Sequence, residues 1–485
     1  MSAIYTPPGV DVEVLDNPRL INLGEAARIT AIVGMGPTTR IVADEALVRG
    51  TGSIDYLSNY PGTNFSVSQI AEYPGLYSGL VNYILRSSGG GLYSLATASI
   101  NATGYITWPG GTVTDIPSAG TTYYVSYTFN VPDSQYTPSL FNDKQMIKAK
   151  FGAESVSTGI LSIAGSINLE NGPPAVMLCQ SQGSSYNEQS YKDAIDKLKK
   201  YDFVEQVVVV FPSGSVTRAQ QETILTYAFN HVLSMGQSRK ERGLVSGSPS
   251  SLYASGGFDI IGTPATSGTY TYRSTAIKQK NSIYAVPSVC YRVDESGNTM
   301  LLDGNFAAAA IAGKQCSQRL RSTPITGMAI TGVTMDDEKW NDSEMNFLAS
   351  SGCLVLQSKS GIIKIRDAIT TDPANADTQE MSVISQERLV KRSLRNGLEN
   401  TYKGKGKVIL PTTPNDVIAT TEAILRTLVK EGEIYGYGTI DDPVTGETKI
   451  SAKQNSTEPR AIDVTCSVKY LYPLKWIRVT VSTYV

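Results

Sequence analysis

At 485 residues the chain is too long for one ordinary core, so roughly two to four domains are expected, and its 41% hydrophobic content is enough to fill a core in each. Lys and Arg number 42 against 44 Asp and Glu, a formal charge of −2 with only 18% charged residues, which argues against a nucleic-acid-binding domain and favours self-association. The longest apolar runs, Val207 to Phe211 and Phe306 to Ala312, are far too short to cross a bilayer, so stable membrane insertion is not expected.

The opening MSAIYTPPGVDVEV has no basic start followed by an apolar run; the protein is therefore expected to stay in the compartment where it is made. Residues 1–20 read as an arm. Pro7, Pro8 and Gly9 punctuate it, and Val10, Val12 and Val14 then alternate with Asp11 and Glu13, the period of a strand with one apolar face. ITAIVGMG, Ile29 to Gly36, opens a main α/β domain expected over 21–95 and 166–375. Between them, residues 96–165 shift to Thr, Ser, Tyr and Gly with alternating runs such as Thr121 to Val131, the pattern of an inserted all-β domain.

Periodicity then changes. Ala175 to Gln180 reads as a buried strand, Ser190 as the start of a helix carrying Ala194, Ile195 and Leu198, and Val207 to Phe211 as a second strand. Thr217 and Gln220 suit a capping box for a helix with Ile224, Leu225, Ala228 and Val232 on one face, closed by Gly236. This alternation predicts a parallel sheet with helices packed on it. Residues 376–485 form an expected C-terminal α+β domain: a basic helix from Ile384 to Tyr402, a second helix entered at Thr413, Pro414 and Asp416 and stopped by Gly432, and strands over Ile462 to Tyr470 and over Ile477, Val479 and Val481.

Chemistry is sparse. The single histidine, His231, sits on an amphipathic helix with no nucleophile motif nearby, so a structural role is expected. No GxSxG elbow occurs, and the Gly-Lys pairs at 313, 404 and 406 are not followed by Ser or Thr. GMGPTT after the first strand lacks the third glycine of a dinucleotide turn. The pairs Asp336 with Asp337 and Asp441 with Asp442 read as solvated turn acids, and five scattered cysteines without CxxC spacing read as buried free thiols, an odd count leaving open a cross-link between subunits. No catalytic site, cofactor or metal is expected. Between Ile384 and Lys407, seven basic residues face two glutamates, which suits either a docking face for an acidic partner or a solvated basic face.

Strands at both extremes of a chain leave edges that ask for partners. They either pair within the chain or are added to a sheet in another copy.

Several segments together resemble the contractile phage tail sheath family: YTPPGVDVEV and ITAIVGMGPT at the start, DGNFAAAAIAGKQC through RSTPITGMAITGV to MNFLASSGCLVLQSKSGIIKIRDAITTD in the middle, and EGEIYGYG followed by DVTCSVKYLYPLKWIRVTVS at the end. The resemblance implies a non-enzymatic subunit of hexameric rings stacked around a tail tube. It also implies partners in the tube, baseplate and tail terminator proteins, no direct nucleic-acid contact, and residence in the virion after assembly in the host cytoplasm. The N-arm (Val10, Val12, Val14) and C-arm (Ile477, Val479, Val481) would then join strands between subunits, and the basic helix with Arg388, Lys391, Arg392 and Arg395 would face the tube. An α/β hydrolase or nucleotide-binding enzyme is the alternative suggested by the strand-helix alternation, and a surface adhesin a third reading suggested by the Thr/Tyr-rich segment.

Overall fold

The computed structural model describes residues 28–52, 54–56, 70–73, 77–81, 83–87, 99–100, 105–108, 116–130, 136–183, 185–247, 262–263, 266–267, 277–287, 289–294, 297–336, 340–402, 409–438 and 450–474. Its centre is a nine-stranded sheet. In chain order the strands are β1 (Ile29–Met35), β2 (Ser139–Phe141), β3 (Ala175–Ser181), β4 (Val204–Val209), β5 (Gly243–Gly247), β6 (Ser282–Val286), β7 (Ala329–Ile330), β8 (Cys353–Lys359) and β9 (Ile362–Ile365). In space they run β2-β3-β1-β4-β5-β6-β8-β9-β7. From β3 to β8 the pairing is parallel; β2 at one edge and β9 and β7 at the other pair antiparallel with their neighbours. β1, β3 and β4 are near-continuous apolar runs because successive side chains point to opposite faces and both faces are covered.

The covering helices are α1 (Lys144–Phe151), α2 (Ile160–Glu170), α3 (Glu188–Lys197), α4 (Arg218–Gln237), α5 (Gly304–Cys316) and α6 (Asp342–Ser350). α2 packs with α5 and α3 with α4, each pair against the sheet. α5 is buried along nearly its whole length, and its run of alanines lets it lie close to α2. A Cβ on Gly313 would collide with the Asn168 carbonyl, and Asn168 Nδ2 donates to the Ala309 carbonyl at 2.9 Å. α4 carries the expected capping box between Thr217 and Gln220 but runs on to Gln237, with Gly236 inside it. α3 is capped by Asn187, whose side chain accepts from the Ser190 amide at 2.9 Å, so the helix starts before Ser190.

The β-rich region is wider than 96–165 and lies earlier. Thr39–Val48, Thr122–Asn130 and Tyr83–Ser87 form one antiparallel sheet with the 122–130 strand in its middle, and Ile54–Tyr56 pairs with Tyr105–Thr107. Strands on both sides of residue 96 thus share ladders. Beyond residue 138, β2, α1 and α2 belong to the main sheet and its covering layer. The composition shift marks only the Thr/Tyr-rich half of this unit; its partner strands are chemically unremarkable. Inside it, the Asp55 carboxylate accepts from Trp108 Nε1 at 2.8 Å, Tyr123 Oη at 2.9 Å and the Gly50 amide at 2.8 Å, which satisfies a buried charge.

The C-terminal part consists of α7 (Met381–Tyr402), α8 (Thr413–Glu431) and two short ladders, Gly436–Gly438 with Ser467–Lys469 and Ser451–Gln454 with Ile462–Thr465. Gly432 ends α8 in the left-handed conformation at φ 79°, as its position predicts. Thr412, one residue before the expected position, is the N-cap.

Candidate assembly surfaces

Groups with possible chemistry are placed as structural parts. His231 is 4% exposed, with Nε2 3.3 Å from Arg242 Nη1. Burial and the neighbouring Arg242 push its pKa down to about 4, so the imidazole is neutral near pH 7. All five cysteines are buried, and none is joined to another by a disulfide. Burial pushes the Cys179 and Cys466 thiols up to about 12 and Cys316 up to about 11, which withholds the thiolate needed for nucleophilic chemistry. The turn after β1 is filled by Gln180, whose Nε2 donates to the Pro37 carbonyl at 2.8 Å. Asp336 accepts from Tyr291 Oη at 3.3 Å, while Asp337, Asp441 and Asp442 lie outside the described residues. Among the described residues, no group of three or more His, Cys, Asp or Glu is placed to hold a metal ion, and no helix is long and apolar enough to cross a membrane.

The basic helix corrects an expectation. Arg388, Arg392 and Arg395 recur at i, i+4 and i+7, which puts them on one face of α7, and all three are buried. That face lies across the N-terminal ends of β4, β5 and β6. Arg388 Nη1 stands 3.4 Å from Glu205 Oε1 and Arg392 Nη1 3.1 Å from Glu205 Oε2, so one carboxylate on β4 serves two guanidiniums. Arg392 Nη2 also donates to the Val204 carbonyl at 3.1 Å and to the Glu241 carbonyl. Arg395 grips the Glu241 carboxylate through both Nη atoms, one at 3.0 Å. Arg388 further donates to Asn281 Oδ1 at 3.2 Å, just before β6. Lys391 pairs with Glu387 at 2.9 Å, and Lys280 reaches the same carboxylate at 3.0 Å.

Burial alone would raise the Glu205 carboxyl, but Arg392, Arg321 and Arg388 hold it below its ordinary value; Lys391 and Lys280 do the same for Glu387. Gly243 at the start of β5 leaves room for the ends of the Gln206 and Arg388 side chains, which a Cβ there would meet. Three of the four residues expected to meet a tube therefore face this chain's own sheet. Their carboxylate partners lie more than 150 residues upstream, beyond the reach of local pattern. The missed signal was Glu205 inside the Val-rich, fully buried strand VEQVVV, since a buried carboxylate demands a cation.

Val10, Val12 and Val14 of the N-arm, and Ile477, Val479 and Val481 of the C-arm, lie outside the described residues. Leu471 is fixed to α7 by paired bonds with Gln386, each 2.9 Å, and exposed apolar side chains follow it. Tyr472 is 47% and Leu474 80% exposed, and Tyr435, beside the Gly436–Gly438 strand, is 67% exposed.

No protein-family model matches the sequence. The tail sheath protein of Mycobacterium phage Bxz1 is 26% identical to this chain over 326 residues, which cover 66% of this chain and 51% of that protein. The chain thus spans about half the length of the curated relative it matches. Among solved structures, the helical sheath of the anti-feeding prophage in its contracted state shares the fold at a TM-score of 0.54 and 10% identity, over 99% of this chain and 100% of that one. A chain of the anti-feeding prophage baseplate does so at 0.54 and 12% identity, again over 99% and 100%. The resemblance read from sequence segments is met by a sequence relative and by a shared fold.

Proposed function

We propose, from its likeness in sequence and in fold to the contractile tail sheath proteins, that this chain is a non-enzymatic structural subunit of a contractile tail sheath. The observation that carries the reading is the sequence match to a phage tail sheath protein, joined by a sheath fold along 99% of the chain. Subunits form hexameric rings stacked around a tail tube, with the baseplate at one end and a terminator at the other. The sheath is part of the virion and assembles in the host cytoplasm. N- and C-terminal arms are donated between neighbours and join the ladders of the C-terminal part. Each added main-chain hydrogen bond contributes only about 0.5–1.5 kcal/mol net, but the ladder is directional and repeats at every subunit.

Contraction follows from a second packing that buries more surface. At about 25 cal/mol per Å² of apolar area, a few hundred Å² of added burial is worth several kcal/mol per subunit, with no nucleotide required. The tube contact lies elsewhere than on the arginine face of α7, which is occupied within the chain. Negative-stain microscopy tests the reading: the full-length protein assembles into hollow tubes, and deletion of residues 1–15, or of everything from Trp476, leaves a folded monomer. Polymerisation unchanged by both deletions would remove arm exchange from the mechanism.

A further inference from the structure

The two faces of α7 meet different kinds of neighbour. Val383, Leu389, Val390, Leu394 and Leu398 pack with Val417, Leu425 and Leu428 of α8 and with Val468 and Tyr470, forming a core separate from the main one. Toward the main sheet, Met381 in the first turn joins the main core, and from Ser385 onward that face is polar: the Gln315–Ser385 contact, then Arg388, Arg392 and Arg395 with Glu205, Glu241 and Asn281. Near the first turns of α7, where Arg321 lies close to Met381 and Ser385, the Glu433 carboxylate accepts from the Ser322 amide at 3.4 Å and from the Arg321 amide at 2.6 Å.

Apolar contact is non-directional, so by itself it would leave a helix several ways to settle on a sheet. A guanidinium fork on a carboxylate accepts essentially one geometry, and a buried charge left without its partner is heavily penalised. The sequence of α7 sharpens this. A slip of one helical turn in one direction would carry Glu399 to the place of Arg395, against Glu241. A slip in the other would carry Ile384 to the place of Arg388, leaving Glu205 short of a cation. Each of these four-residue slips weakens a charge pair at one end of the seam.

We propose that this polar seam is an alignment key, in which Glu205 and Glu241 with Arg388, Arg392 and Arg395 act as positioning residues that fix the angle of the C-terminal unit on the main sheet. Its consequence for assembly rests on the sheath reading: ladders that receive strands from neighbours must point the same way in every copy for the lattice to close. The seam supplies orientation, and the two apolar cores supply stability.

The test replaces the triad with apolar side chains of similar size, Glu205→Leu with Arg388→Met and Arg392→Met, in the full-length chain. Replacement of a complete buried ion triad is often neutral or stabilising, so melting temperature should match or exceed that of the unaltered protein. Regular tubes should be lost, and small-angle scattering from the unassembled chain should change. Tubes of unaltered diameter, or an unchanged scattering profile, would overturn the proposal. If the triple variant does not fold, Arg392→Lys is read by the same two measurements; it keeps the charge but loses the fork that reaches Glu205, Val204 and Glu241 together. An unaltered protein that forms no tubes counts against the sheath reading alone, because the scattering comparison still decides the seam.

Discussion

α5 and α7 both rest on the central sheet, yet opposite chemistry holds them. α5 is a small-residue helix sunk in apolar contact, with Phe306, Ala309 and Ile311 fully buried. α7 meets the strand ends through paired charges. The first kind of junction is sensitive to volume and indifferent to sign; the second is sensitive to which partner is present. One fold therefore contains a contact that supplies stability and a contact that supplies orientation.

The largest effect expected is at the charged junction. Glu205→Ala leaves two buried guanidiniums without their carboxylate and should destabilise by about 3–5 kcal/mol in urea denaturation, far more than the complete apolar triad replacement. A Glu205→Ala protein as stable as the triad variant would erase the distinction between the two helices.

Acid should act on the same side of the molecule. His231, beside Arg242, has its pKa lowered from 6.5 to about 4, so the unfolded chain binds the proton more readily. Its contribution is fully present above pH 6.5 and is lost as pH falls toward 4, on the order of 3 kcal/mol at most. Glu205, held below its ordinary value, adds a further loss below the unfolded carboxylate range, as pH falls through its folded value. Melting temperature measured against pH should fall through the 6.5 to 4 window, and His231→Gln should flatten that window while leaving the more acid limb. An identical profile in both proteins would assign the loss to other groups.

At the apolar junction, Ala309→Leu should cost about 1–3 kcal/mol by overpacking, read by the same urea titration and with no dependence on pH. Smallest of all, Arg426→Ala breaks an exposed pair with Glu422 and should leave the urea midpoint unchanged within error. A larger loss there would mean that surface charge matters more in α8 than its exposure allows.

Much of the main sheet was legible in the sequence. β1, β3 and β4 stand close to the runs expected, because strands buried on both faces write themselves as continuous apolar segments. The capping box of α4 and the left-handed Gly432 were legible for the same local reason. What failed depends on distant pairing. The β-rich unit was drawn too narrow because its ladders join residues near 40 with residues near 130. The arginine face of α7 was turned outward because nothing local tells a basic stripe whether its acids are in water, on a partner or 187 residues upstream. Its spacing was visible, and Glu205 within a Val-rich strand was the complementary clue.

The outer strands of the central sheet are stubs, β2 with three residues and β7 with two. In a crowded stack of identical copies, a long bare border would invite neighbouring bodies to zip together wherever they touched. Cropped borders remove that option, so in the proposed sheath any ladder shared between bodies would have to be built from other segments.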